Sequence, residues 1–300
     1  MRKPRPFRII DGGRSGAAVL KLEGATADLQ DSLPRLLSAI GAPAADLTTE
    51  GSGRVWRSAS QHARAEVSVT TAEGLPGIAS ASGRGIKLSF ISLRSFDEHA
   101  LERALSLALV AQPEARLHTI LRDPAARAWL SSCTDERAIA NHQAADCARL
   151  LASEDIAAGI VIGEEPTVEV LIAMIVGRYG LGPFVARTGV SANGFLASAL
   201  TDDGQGSIGA TLRALIDALL HLGQVRAACL LHNALLKTLE DRFCTDGMPS
   251  ASPCALQVSE RRFISEMIDR IGHAPRQLEP RAYEGAETDA QARPALTLVG

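Results

Sequence analysis

The chain has 300 residues, 46% of them hydrophobic and 22% charged, which is enough to bury a sizeable core and excludes a chain that is disordered throughout. A formal net charge of -3 and a pI near 6.2 exclude a protein built to coat nucleic acid or an anionic membrane, since neutralising phosphates takes a concentrated excess of Lys and Arg. The cysteines, Cys133, Cys147, Cys229, Cys244 and Cys254, are odd in number, widely spaced and without a CxxC pair. That pattern suits free thiols in a reducing cytoplasm rather than a disulfide framework or a zinc site.

A basic start, Arg2, Lys3, Arg5 and Arg8, is followed by no apolar core, so it reads as a solvated leader and not a signal peptide. Apolar runs at residues 7–10 and 17–22 flank a glycine-rich turn and predict a hairpin. Leu29, Leu33, Leu36, Leu37 and Ile40 fall at helical spacing, with Ser32 as the expected cap and Pro34 in the first turn. Ala65, Val67 and Val69 alternate with polar residues, as do Ile86, Leu88 and Phe90, predicting two strands of one antiparallel sheet. After Phe90 the phase shifts to Ile91 and Leu93, which predicts a bulge or a strand end.

Ser95 to Glu98 reads as a capping box opening a helix that buries Leu101, Ala104, Leu105, Ala108 and Leu109 and stops at Pro113. From there to Gly272 alternation vanishes and Ala and Leu dominate, so the expectation is helices throughout. The clearest are a stripe from Leu212 to Leu220 and another from Val225 to Phe243, broken at Gly223 as an antiparallel pair, and a shorter helix near residues 259–271. The fold class expected is therefore α+β: a small antiparallel sheet module at residues 1–94, an all-helical domain at 95–272 and a disordered tail at 273–300. The two most apolar stretches, 156–162 and 168–176, are far short of the ~20 residues that cross a bilayer, so no membrane insertion is expected.

For chemistry, the strongest candidates are two Gly/Ser/Arg segments at residues 51–58 and 80–87. Small residues let backbone amides approach a ligand while Arg54, Arg57, Arg84 and Lys87 supply charge, so together they would bind a phosphate or carboxylate. Neither segment carries the fixed glycine offsets of a nucleotide loop, and no cofactor or metal is implied. Cys133, expected just before a helix start, is a weak nucleophile candidate. Arg226 and His232 share one helix, yet His232 falls on the apolar stripe and reads as a satisfied core histidine. Asp202 and Asp203 read as turn and capping residues ahead of a helix near Ile208.

Two function classes follow. The first is a regulatory or interaction protein that presents helical surfaces to a protein partner rather than to nucleic acid, because no convergent acid, base or nucleophile stands out. The second is an enzyme that binds an anionic small molecule where the sheet module meets the helices, for which positioning groups are visible and catalytic ones are not.

Overall fold

Leu20, Leu22 and Trp56 alternate inward at one edge of a sheet and Ile160 and Ile162 do so near the other, and between them every strand hydrogen-bonds to its neighbour. The computed structural model describes residues 20–50, 54–58, 67–73, 85–133, 139–181, 185–191, 194–199, 207–246, 248 and 254–276. The expected first strand of the hairpin, Arg84, Asp202, Asp203 and nearly all of the expected tail lie outside these residues.

The described strands are β1 (Leu20–Glu23), β2 (Ala45–Leu47), β3 (Val55–Ser58), β4 (Val67–Glu73), β5 (Lys87–Leu93), β6 (Leu117–Thr119), β7 (Ile139–Asn141), β8 (Ala158–Glu164), β9 (Ala186–Ser191) and β10 (Gly194–Ala199). They form one mixed sheet in the order β2-β1-β3-β10-β9-β4-β5-β8-β6-β7. From β1 through β3, β10, β9 and β4 to β5 each step is antiparallel, and β5, β8, β6 and β7 run parallel. A further pair, β11 (Phe243–Cys244) and β12 (Leu256–Gln257), stands apart.

The described helices are α1 (Ala27–Ala39), α2 (Glu98–Ala111), α3 (Pro124–Cys133), α4 (Ala144–Ala152), α5 (Glu165–Tyr179), α6 (Ile208–His221), α7 (Val225–Glu240) and α8 (Glu260–Asp269). They cover both sides of the sheet. One core joins Leu22, Trp56, Val69, Ile91 and Ile162 to the inner faces of α1, α2, α3, α6, α7 and α8. The other joins Leu88, Phe90 and Val161 to α4 and α5.

This α/β architecture overturns the expected α+β fold with a small sheet and an all-helical remainder, since β6 to β10 all follow residue 94. The reason lies in how a strand buried on both faces reads. Residues Ile160, Val161 and Ile162 of β8 point alternately into the two cores, so every position is apolar and the period-two signal disappears. The same physics corrects the phase shift after Phe90. Leu88 and Phe90 enter one core, Ile91 and Leu93 the other, and the ladder from β4 runs unbroken from Lys87 to Leu93 without a bulge.

Local expectations fare better where one face decides. α6 and α7 are the expected antiparallel pair, turning at Gly223 with φ 72°. Ser207 caps α6 by accepting from the Ala210 amide, and Ser259 caps α8 by accepting from the Arg262 amide. Asp97, not Ser95, caps α2, its carboxylate taking the Ala100 amide at 2.8 Å. α1 starts at Ala27 and carries Pro34 in its interior, while Ser32 bonds back to the Asp28 carbonyl at 2.6 Å. Burial of Leu29, Leu33, Leu36 and Leu37 outweighs the one helix bond that proline removes.

Candidate functional site at the carboxyl ends of the parallel strands

In an open α/β sheet the ligand crevice opens where neighbouring parallel strands send their following helices to opposite faces. β8 meets that condition on both sides. Its helix α5 lies on one face, whereas α2 after β5 and α3 after β6 lie on the other. The residues at its carboxyl end, Glu164 and Glu165, therefore stand between two potential crevices.

Each glutamate turns to one side. Glu165 takes both forks of Arg94, just past β5, at 2.9 and 2.7 Å. That bond and the charge of Glu165 raise the Arg94 pKa above its ordinary value. Glu164 reaches the other way, where one carboxylate oxygen accepts from the backbone amides of Arg122 and, at 3.1 Å, Asp123 at the end of the β6 segment. Asp123 itself accepts from the Ala125 amide at 2.8 Å in the first turn of α3. Amides and guanidinium groups that would recognise an anion are thus taken by the protein's own carboxylates.

One turn further along α5, Glu169 pairs with Arg187 of β9. The pair uses one oxygen and one nitrogen, and the remaining Glu169 Oε1 and Arg187 Nε are buried without partners among the described residues. At the outer edge, the rings of His118 and His142 stack with centroids 5.3 Å apart and join Nδ1 to Nε2 at 3.0 Å. Burial, helped by His142 and Arg116, lowers the His118 pKa to about 4. Among the described residues no three His, Cys, Asp or Glu side chains group as metal ligands.

Of the four residues expected from the sequence to hold an anion, Arg84 lies outside the described residues and the other three sit in ordered strands or beside them. Arg54 pairs with Glu260 of α8 at 2.6 Å, and Arg57 pairs with Glu23 of β1 at 3.0 Å. Lys87 starts β5, four strand spacings from β3 and so roughly 19 Å from Arg57 across the sheet. Cys133 is the tenth residue of α3, counted from its start at Pro124, and so lies away from the helix N-terminus that would favour a thiolate. His232 is buried as a core histidine, with Arg213 at 2.8 Å, while Arg226 on the same helix is exposed. The sequence signal that was missed is Gly163-Glu164-Glu165-Pro166. A buried apolar run followed by acids and a proline marks a strand passing directly into a helix, with proline in the first turn.

No protein-family model matches the chain, and no curated protein sequence does. Solved structures do share the fold. The TT0538 protein from Thermus thermophilus aligns with a TM-score of 0.60 at 13% identity, over 87% of this chain and 70% of that one. Isocitrate dehydrogenase from Methylococcus capsulatus aligns with a TM-score of 0.59 at 10% identity, over 84% of this chain and 98% of that one. A chain of the peripheral stalk of the Euglena gracilis mitochondrial ATP synthase aligns with a TM-score of 0.50 at 14% identity, over 84% and 99%. At these identities the likeness establishes the fold alone.

Proposed function

We propose that this chain is a cytoplasmic interaction protein, built on a scaffold it shares with a dehydrogenase, that docks a protein partner along the outer face of α5. The observation carrying this reading is that face itself. Pro166, Val170, Ala173 and Gly177 recur at helical spacing and are all exposed, and Val170 is 67% exposed. On its inner side α5 buries Val168, Leu171, Ile172 and Ile175, so the helix is apolar on both sides, a pattern that soluble proteins reserve for helices covered on both sides. The self-occupied crevice at Glu164 and Glu165 agrees with binding in place of turnover, and the five free cysteines agree with a reducing compartment. Among the described residues no helix is long and apolar enough to cross a membrane. The fold does not decide the matter, because the two neighbours with named roles divide between an enzyme and a part of an ATP synthase stalk.

The competing reading, an enzyme that binds an anionic small molecule, rests on the dehydrogenase neighbour and requires Arg94 to exchange Glu165 for substrate. Photo-crosslinking from position 170 in living cells separates the two. A discrete adduct from position 170, absent from position 31 and lost when Ala173→Glu is added, supports docking on α5. Turnover of isocitrate or another 2-hydroxy acid with NAD or NADP by the purified chain, or the absence of any adduct, overturns it.

A further inference from the structure

On the opposite side of the sheet from α5, helices α1 and α8 pack against one another and leave a groove of about 270 Å³. Its floor is Ile264, fully buried, beside Ile268, and its rim carries Arg35 and Asp31 from α1 and Arg261 and Arg262 from α8. These rim residues bring three guanidinium groups and one carboxylate into a single concavity, a surplus of two positive charges in a chain whose own net charge is -3.

The surplus is poorly compensated from within. Arg35 has no ion-pair or hydrogen-bond partner among the described residues. Arg261 meets Asp31 only at 3.8 Å, with both side chains more than 60% exposed, so that pair constrains neither group. Arg262 is paired with Glu266, whose other oxygen serves Arg270 at 2.7 Å, and Arg270 also pairs with Asp241 at 2.7 Å, so the poorly compensated charge on the rim is that of Arg35 and Arg261. Ser259 and Ser265 supply hydroxyls along the wall, while Ser32 donates its own to the Asp28 carbonyl. Three like charges held closer than a Debye length repel one another, and planar guanidinium forks match the paired oxygens of a phosphate or carboxylate. The volume lies at the small end of the range for ligand pockets, which suits a compact ligand and leaves no room for a dinucleotide.

We propose that the groove between α1 and α8 binds a small dianion, a phosphate monoester or a dicarboxylate, whose two charges meet the guanidinium groups of Arg35 and Arg261. Isothermal titration of the full-length protein with inorganic phosphate and with succinate, at constant ionic strength and with acetate as the monoanion reference, tests it. The expected result is saturable one-site binding of at least one dianion and none of acetate. Arg35→Gln and Arg261→Gln each weaken it about tenfold or more, while Arg127→Gln, an exposed arginine on α3, leaves it unchanged. Whether phosphate or succinate binds more tightly identifies the class. Both test arginines are exposed, so circular dichroism of the variants should match the parent, and Arg35→Gln decides alone if Arg261→Gln does not fold. Absence of saturable binding for both dianions, binding that survives both groove substitutions, or an equal loss in Arg127→Gln overturns the proposal.

Discussion

Glu164 is the side chain that fastens the end of β8 to the segment leading into α3, and removing it should register in stability. Its single engaged oxygen satisfies two backbone amides, those of Arg122 and Asp123. In Glu164→Ala both lose their acceptor. Arg122 is exposed and its amide passes to water at little cost, whereas Asp123 is half-buried and its amide does not. An orphaned buried amide costs about 1 to 3 kcal/mol, and an exposed bond replaced by water about 0.5 kcal/mol, so the loss should be about 1.5 to 3.5 kcal/mol. For a chain of this size that corresponds to a fall in Tm of roughly 2 to 6 °C. Glu164→Gln keeps the accepting oxygen but sets an amide group where the other oxygen is buried without a partner, so about half the loss should remain. Urea unfolding followed by far-ultraviolet circular dichroism measures both, with an unchanged slope confirming that only stability moved. If Glu164→Ala unfolds within about 0.5 kcal/mol of the parent, the carboxylate does not fasten the end of β8 to the segment before α3.

Three further outcomes are expected. Burial first, and then Arg103, lowers His221 to about 4, as burial first and neighbouring charges lower His118. The unfolded chain accepts these protons near pH 6.5 and the folded one only near pH 4, so stability present above pH 6.5 is lost as pH falls towards 4, and Tm measured at pH 7.5 and 5 should drop less in His221→Leu. Gly159 has φ 145° and leaves an added Cβ only 2.9 Å from the Arg116 carbonyl oxygen, so Gly159→Ala should cost about 2 kcal/mol or more by thermal unfolding, whereas an exposed control such as Gly177→Ala costs nothing. Trp56 is fully buried and donates its indole N–H to the Thr211 carbonyl at 3.0 Å, so Trp56→Phe should lose about 2 to 3 kcal/mol and also the blue-shifted part of the tryptophan fluorescence, leaving the more exposed Trp129.

What the sequence made legible was settled by where the large apolar residues fall. In α7 one face meets the core, and α6, although buried on every side from Ile208 to Leu220, keeps small or polar residues between its large ones, so the helical period survives in the residue pattern. β4 and β5 were visible through Val67, Val69, Leu88 and Phe90. The parallel strands were not, because β6 is three residues long and β8 is enclosed on both faces. β9 and β10, with their Gly, Ser, Thr and Ala residues, are strands because of the neighbours they pair with and not through any propensity of their own. Of the expected anion site, Arg54 and Arg57 emerge as members of ion pairs that tie β3 to α8 and to β1. The crevice residues Arg94, Glu164 and Glu165 come from separate parts of the chain, and only the strand order brings them together.

Glu260, at the start of α8, also accepts from the Thr26 hydroxyl ahead of α1, a contact across 234 positions of sequence, and α8 completes the core that Leu29, Leu33 and Leu36 of α1 begin. A nascent chain leaving the ribosome therefore carries the apolar side of α1 uncovered until α8 has been made. Synthesis from the amino end cannot finish this core piecemeal, and any truncation before Ser259 leaves the first helix without its cover.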